Sequence, residues 1–491
     1  MRQAKTPLFS GLVEHAKKNP IQFHIPGHKK GTGMNPVFRE FIGENALSID
    51  LINIAPLDDL HHPKAMIKEA QDLAAEAFGA DHTFFSVQGT SGAIMAMIMA
   101  TCNPGDKIIV PRNVHKSIMS AIIFSGAIPI FIHPMMDERL GIAHGITTKA
   151  VQKALEAHPD ASALLVINPT YFGFAGDLRE IVRIAHNYQV PVLVDEAHGV
   201  HIHFHEEMPI SAMQAGADMA ATSVHKLGGS LTQSSILNVR EGLVDVNRVK
   251  TVLSMLTTTS TSYILLASLD MARQHLAMNG HMLAQQAIDL AIKARNEINQ
   301  IPRLYCVGEE ILGKPATYAM DKTKLLIHVK DLGVTGWEVE NWLREKYHIE
   351  VEMSDLYNIL CFITAGDTEE TIQILVNALR DLAVEYSHAE AVERPAVTTL
   401  PNIPVLSLSP RDAFYTETEI IPLKESAGRI ISEFIMVYPP GIPIFLPGEV
   451  ITEENIAYIQ ENLRVGLPVQ GPEDESIQTI KVVKRQTAIS G

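Results

Sequence analysis

The chain has 491 residues, 46% of them hydrophobic and 20% charged, which provides for a large buried core and excludes a disordered protein. A length beyond the usual span of one core predicts two or three domains. The formal net charge of −16, with no run of lysine or arginine to offset it, argues against nucleic acid as a partner. Cys102, Cys306 and Cys361 form no CxxC pair or disulfide framework, which fits a reducing cytosol. The N-terminus lacks the apolar core and cleavage site of a secretory signal. The most apolar stretch, residues 91–102, is too short to cross a bilayer.

Residues 1–62 read as an N-terminal arm. From about residue 63 amphipathic helices alternate with short apolar strands. PKAMIKEAQDLAAEAFGA reads as a helix that ends near Gly79, and FFSV (84–87) as a strand. QGTSG follows as a turn and AIMAMIMATC as a buried helix. The alternation continues through KIIV (107–110), a helix from Lys116, IPIFI (128–132), a helix around 149–157 and ALLVI (163–167). It ends with a helix around 177–188, PVLVD (191–195), DMAATS (218–223) and SSILNV (234–239). Short, continuously apolar strands between helices predict an α/β domain over 63–255 with a mostly parallel sheet. Ligands of such sheets bind beyond the C-terminal strand ends. Residues 256–386 read as a smaller α+β domain that opens with two long helices and has strands near 323–329 and 358–364. Residues 387–404 read as a linker, and 405–491 as a further small domain.

Three strand ends carry groups that belong to one kind of pocket. In PVLVDEAHG, Asp195 stands where a strand exits; a carboxylate there pairs with the protonated ring nitrogen of pyridoxal phosphate. In ATSVHKLGG, Lys226 supplies a Schiff-base amine, and Ser223 and His225 can donate to a phosphate. In FFSVQGTSG, Thr90 and Ser91 open a helix whose backbone N–H groups suit an anion. Each has a plainer reading as a cap or turn residue. Their conjunction, in order and at strand ends, points to a cofactor site.

The segments FHIPGHKKG (23–31), QGTSGA (88–93), PRNVHKS (111–117), INPTYFG (167–173), VDEAHG (194–199), SVHKLGG (223–229) and YPPGIPIFLPGE (438–449) resemble the ornithine/lysine/arginine decarboxylases of pyridoxal phosphate fold type I. The chain is most similar to the shorter, biosynthetic arginine-decarboxylating branch, which lacks an N-terminal receiver-like domain. The resemblance implies that Lys226 binds the cofactor covalently, that Asp195 pairs with its ring nitrogen, and that His115 and Ala197 lie on its two faces. His198 would stand near the reacting centre, with Thr90, Ser91, Ser223 and His225 at the phosphate. It also implies a homodimer or an assembly of dimers with shared active sites, TTTSTSY (257–263) reaching the partner's phosphate. Residues 405–491 would be the family's C-terminal domain.

The implied reaction is loss of carbon dioxide from a basic amino acid, arginine first, lysine next and ornithine third. It would run in the cytoplasm, with agmatine feeding polyamine and spermidine synthesis. Candidate acids for the substrate's cationic end are Asp58, Asp59, Asp355 and Glu433. The nearest enzymatic rival is an α-oxoamine synthase, which shares the D-E-A-H and H-K-x-x-G patterns; a non-catalytic cofactor-binding homologue is a second. His201, His203 and His205 alternate as on a strand face, which a metal would suit. A place bordering the cofactor pocket is the stronger reading, and no metal is expected. His24, His28, His61 and His62 serve packing or border the active site.

Overall fold

A computed structural model describes residues 2–387, 401–437, 442–464 and 466–485. Its central element is a seven-stranded sheet of β1 (His82–Ser86), β2 (Lys107–Pro111), β3 (Ile128–Ile132), β4 (Ala163–Ile167), β5 (Val192–Asp195), β6 (Met219–Thr222) and β7 (Ser235–Val239). The strand order is β1-β7-β6-β5-β4-β2-β3. Strand β2 pairs parallel with β3 and β4, as does β5 with β6, whereas β7 is antiparallel to both β1 and β6. Every strand read from the sequence between 84 and 239 is present, as the continuously apolar runs require for strands covered on both faces.

The helices read from the sequence between 63 and 188 are present as well. Helix α1 (Pro7–Lys17) begins the chain, and α2 (Met66–Phe78) ends at Gly79, which adopts the left-handed conformation that favours glycine as a stop. Next come α3 (Gly89–Thr101), α4 (Lys116–Ser125), α5 (Thr148–Ala157), α6 (Leu178–Asn187) and α7 (Val246–Leu256). The two helices expected after residue 262 are one, α8, running unbroken from Tyr263 to Ile298. Gly280 lies inside it. A Cβ there would come within 2.8–3.0 Å of the Phe204 ring and its Cβ, so this glycine admits a close neighbour and does not end the helix.

Contacts divide the chain into two compact units: residues 1–101, 165–169 and 178–285, and residues 102–164, 170–177 and 286–491. In the first unit, Leu8 and Leu12 of α1 pack in one apolar cluster with Ile67, Ala70 and Phe78 of α2, and with Tyr263, Leu266 and Leu269 of α8. The second unit contains a four-stranded antiparallel sheet, β8 (Tyr305–Cys306), β9 (Lys324–His328), β10 (Met353–Ser354) and β11 (Asn358–Phe362), in the order β8-β9-β11-β10. Helices α9 (Gly336–Tyr347) and α10 (Glu369–Glu385) pack their apolar faces on it. A separate core forms from Leu423, Ile435, Phe445, Ile459 and Val482. Most of the expected linker, 387–404, lies outside the described residues, as does Tyr438–Gly441 at the start of the YPPGIPIFLPGE segment.

One buried ion pair ties two of the sequence motifs together within the second unit. Arg112 of PRNVHKS and Glu449 of FLPGE are each about 1% exposed. The Arg112 guanidinium donates through Nη1 and Nη2 to the two Glu449 carboxylate oxygens at 2.5 and 2.8 Å. It also donates through Nε to the Pro443 carbonyl at 2.9 Å and through Nη2 to that of Ile444 at 3.2 Å. This planar, two-pronged contact requires arginine. Glu449→Ala strands the guanidinium in the core and is expected to lower stability by about 3–5 kcal/mol. Replacing both partners by apolar residues of similar volume should recover most of that loss, measured by denaturant unfolding.

Candidate active site

The C-terminal ends of β5 and β6 place the central residues. Both strands run the same way, with Asp195 opposite Ala221 in register. Asp195 therefore ends its strand one step from where β6 turns, through Ser223, into the short helix Val224–Leu227 that carries Lys226. The Lys226 Nζ lies 2.7 Å from His198 Nε2, at a spacing that permits a shared proton. Asp195 is buried, with Oδ1 accepting the Ala197 N–H at 3.2 Å. Ala197 and His198 lie on the turn that follows it.

The third strand end completes a hydroxyl cluster. Strand β1 runs parallel to β6, since both oppose β7, so its C-terminus opens at the same edge. Gly89, with φ +68°, turns the chain into α3, and its N–H is held by the Gln233 carbonyl at 2.9 Å. Thr90 Oγ1 is hydrogen-bonded to Ser223 Oγ and, at 2.9 Å, to Ser235 Oγ. Ser91 is exposed beside it. His225 Nδ1 donates to the Ser234 carbonyl at 2.8 Å, which leaves Nε2 as the other ring nitrogen. The structure thus brings Thr90, Ser91, Asp195, Ala197, His198, Ser223, His225 and Lys226 to one edge of the first unit.

His115 belongs to the second unit, where it caps α4, its Nδ1 accepting the Ser117 N–H at 3.2 Å. The candidate substrate acids accept main-chain hydrogen bonds. Asp58 takes the N–H groups of Asp59, Lys64, Ala65 and Ile67 at 2.8–3.0 Å, which anchors the start of α2. Burial opposes its charge, but those donors prevail and lower its pKa. Asp59 Oδ1 accepts the His61 N–H at 3.0 Å. Asp355 holds a turn by accepting from the Tyr357 and Asn358 N–H groups at 2.8 Å and from the Asn358 amide. Glu433 accepts the N–H groups of Glu473 and Lys481 at 2.8 and 2.6 Å.

The histidine run does not form the alternating strand face read from the sequence; residues Ile202–Phe204 make a 3₁₀ turn. His205 instead meets Glu206 and His281. Its Nδ1 accepts the Glu207 N–H at 3.2 Å, so the proton sits on Nε2, which faces Gln285 Oε1 at 3.0 Å. Binding a metal there would disrupt both hydrogen bonds. His28 is paired with Asp50 at 3.2 Å, and His61 bridges Ser254 Oγ and the Thr258 carbonyl.

Sequence reasoning passed over Glu196 and Ser235. Glu196 is 3% exposed, accepts the Ala212 N–H at 2.7 Å and the Thr222 hydroxyl at 3.3 Å, and neighbours Asp195. Burial above all, with the Asp195 charge adding, raises its pKa to about 8. Its adjacency to Asp195 is the only local signal, since its partners come from positions 212 and 222. The folded state therefore binds a proton that the unfolded state, near 4.5, has released. Stability falls as pH rises between those values. Glu196→Gln should fold normally and remove this slope, whereas Glu196→Ala strands the Ala212 N–H at a cost of roughly 1–3 kcal/mol. Unfolding titrations at several pH values between 5 and 8 check both.

Family comparisons cover most of the chain. The profile for the Orn/Lys/Arg decarboxylase major domain matches residues 6–371, and that for the family's C-terminal domain matches 396–468. An arginine decarboxylase of Halalkalibacterium halodurans is 70% identical over 488 residues, 99% of each chain. An arginine decarboxylase of Bacillus subtilis is 67% identical over 489 residues, 100% of each. Among solved structures, a lysine decarboxylase of Francisella novicida matches with a TM-score of 0.85 at 24% identity, over 98% of this chain and 82% of that one; that likeness establishes the fold, type I among pyridoxal phosphate enzymes. The family's cofactor, pyridoxal phosphate, fits the residues present. A buried carboxylate, an amine and a hydroxyl cluster at a helix start converge, and a Cβ added to Gly89 or Gly229 would meet nothing within 4 Å. Motifs, fold and profile lead to one conclusion: the chain belongs to the Orn/Lys/Arg decarboxylase family.

Proposed function

We propose that the chain converts L-arginine to agmatine and carbon dioxide, in the cytoplasm, as a homodimer or an assembly of dimers that supplies polyamine synthesis. The observation that carries the substrate is 70% identity, over 99% of both chains, to an arginine decarboxylase. The YPPGIPIFLPGE and PGHKKG segments favour this reading over an α-oxoamine synthase. No helix among the described residues is long and apolar enough to cross a membrane.

The cofactor, when bound, supplies a protonated ring that accepts the electron pair of the broken Cα–carboxylate bond. In this reading Lys226 Nζ would hold it covalently. Asp195 keeps the ring nitrogen protonated, and Glu196, neutral near pH 7, leaves Asp195 the single negative charge on this turn. Thr90, Ser91, Ser223 and His225 serve as phosphate donors, helped by the first turn of α3. Lys226 Nζ and His198 Nε2, 2.7 Å apart, form a proton-carrying pair that returns a proton to Cα after carbon dioxide leaves. We place segment 257–263 at the partner's phosphate.

Purified, cofactor-loaded protein offered L-arginine, L-lysine and L-ornithine separately should release agmatine as the dominant amine. Cadaverine or putrescine in its place would overturn the substrate assignment. Asp195→Ala should abolish turnover, and near-normal kcat with the cofactor bound would refute its role. His198→Asn should retain the visible absorbance of the bound cofactor while kcat falls by roughly 10²–10⁴-fold.

A further inference from the structure

We propose that Asn168 is a positioning residue for Asp195, its Oδ1 accepting a hydrogen bond from the Glu196 carboxyl. The inference rests on the part given to Asp195 above and adds the group that fixes its turn. Asn168 follows β4 directly and is 1% exposed. Its Oδ1 is buried with no hydrogen-bond partner among the described residues, a costly state for an amide oxygen. Turning the amide round gives no relief. Its Nδ2 donates to the Ile210 carbonyl at 2.9 Å, and a flip would set two oxygens against each other.

The sheet register brings a donor beside it. Asn168 donates its N–H to the Asp195 carbonyl, and Glu196 donates its own to that of Ala221, each at 3.0 Å. In a parallel ladder those bonds set Asn168 opposite Glu196 and Glu196 opposite Thr222, with the three side chains on one face. The Thr222 hydroxyl does reach Glu196 Oε2, at 3.3 Å. A single segment then binds both side chains. The Ile210 carbonyl takes the Asn168 amide, and the Ala212 N–H meets Glu196 Oε1 at 2.7 Å. Gly199 marks where the turns after β4 and β5 pack together: a Cβ there would meet Glu196 Cγ at 2.6 Å and Pro169 Cδ at 3.0 Å.

The two groups are complementary. Burial above all raises the Glu196 pKa to about 8, so near pH 7 the carboxyl keeps its proton. Oε1 stays on the Ala212 N–H, which leaves the carboxyl O–H a donor in need of an acceptor. Asn168 Oδ1 is a buried acceptor in need of a donor. Joining them satisfies both. Glu196 is next to Asp195 in the chain, so securing its side chain fixes the backbone from which Asp195 projects on the other face.

The test is the infrared spectrum of the cofactor-loaded protein at pH 7. A carbonyl band from a protonated carboxyl is expected, and Glu196→Gln should remove it. Asn168→Leu keeps the branched shape without the acceptor and should move that band to higher frequency. The visible circular dichroism of the bound cofactor should weaken in the same variant, because Asp195 is no longer held in place. Asn168→Ala serves for both readings if the leucine variant does not fold. The absence of a band that Glu196→Gln removes, or a band unmoved by loss of Asn168, would overturn the hydrogen bond. A moved band with unchanged dichroism would overturn the positioning role. Failure of the Asp195 reading itself would be seen in the turnover of Asp195→Ala and would leave the band as it is.

Discussion

Two carboxyl groups follow one another at the end of a buried strand, and burial opposes the ionisation of both. Two carboxyl groups stand side by side in DEAHG, both nearly inaccessible. Ionising both would place like charges together where water cannot screen them. Burial above all, with the Asp195 charge adding, raises the Glu196 pKa and favours its neutral form, although its oxygens accept the Ala212 N–H and the Thr222 hydroxyl. Asp195 is then the residue left to hold the charge. Lys226 follows the adjacent strand, so the sheet register of Asp195 with Ala221 helps to fix where each stands. A register slip of one residue would turn that strand's side chains to the opposite face.

The same sheet edge brings three widely spaced motifs together. Strands β1, β5 and β6 end together, and β7 begins there, because β7 opposes both β1 and β6. That antiparallel strand brings Ser235 onto the Thr90 hydroxyl, an arrangement no parallel neighbour would supply at its starting end. In the second unit, the Arg112–Glu449 pair performs a comparable service for the PRNVHKS segment. It is buried, geometrically specific, and made from residues more than three hundred positions apart.

Much of this was legible in the sequence for a physical reason. Strands covered on both faces are continuous apolar runs, and each of the sheet's seven stood out against amphipathic helices. Turn chemistry, such as Gly79 after α2 and the G-T-S-G opening of α3, is local and so readable. What escaped depends on contacts between distant segments. Gly280 resembles a helix breaker until the Phe204 ring is found against it. The alternating histidines resemble a strand until the 3₁₀ turn redirects them. Glu196 and Ser235 owe their place to partners from other strands and turns, and no spacing rule reveals those.

The substrate acids show the same limit more sharply. A guanidinium is best held by a carboxylate that turns two free oxygens toward it. Asp58, Asp355 and Glu433 were candidates because acids beside turns are conspicuous in a sequence. Asp58 gives both oxygens to main-chain N–H groups just after it, Glu433 gives one each to the N–H groups of Glu473 and Lys481, and Asp355 divides its own between main-chain N–H groups and the Asn358 amide. Asp355 is the most committed: turning it to a substrate side chain would leave the buried Tyr357 and Asn358 N–H groups unpaired, at roughly 1–3 kcal/mol for each. Asp59, with Oδ1 on the His61 N–H, is less committed. Which carboxylate oxygens a fold leaves open to a guanidinium is set by contacts between distant segments, as Glu433 with its donors at 473 and 481 shows, and no local motif displays those contacts.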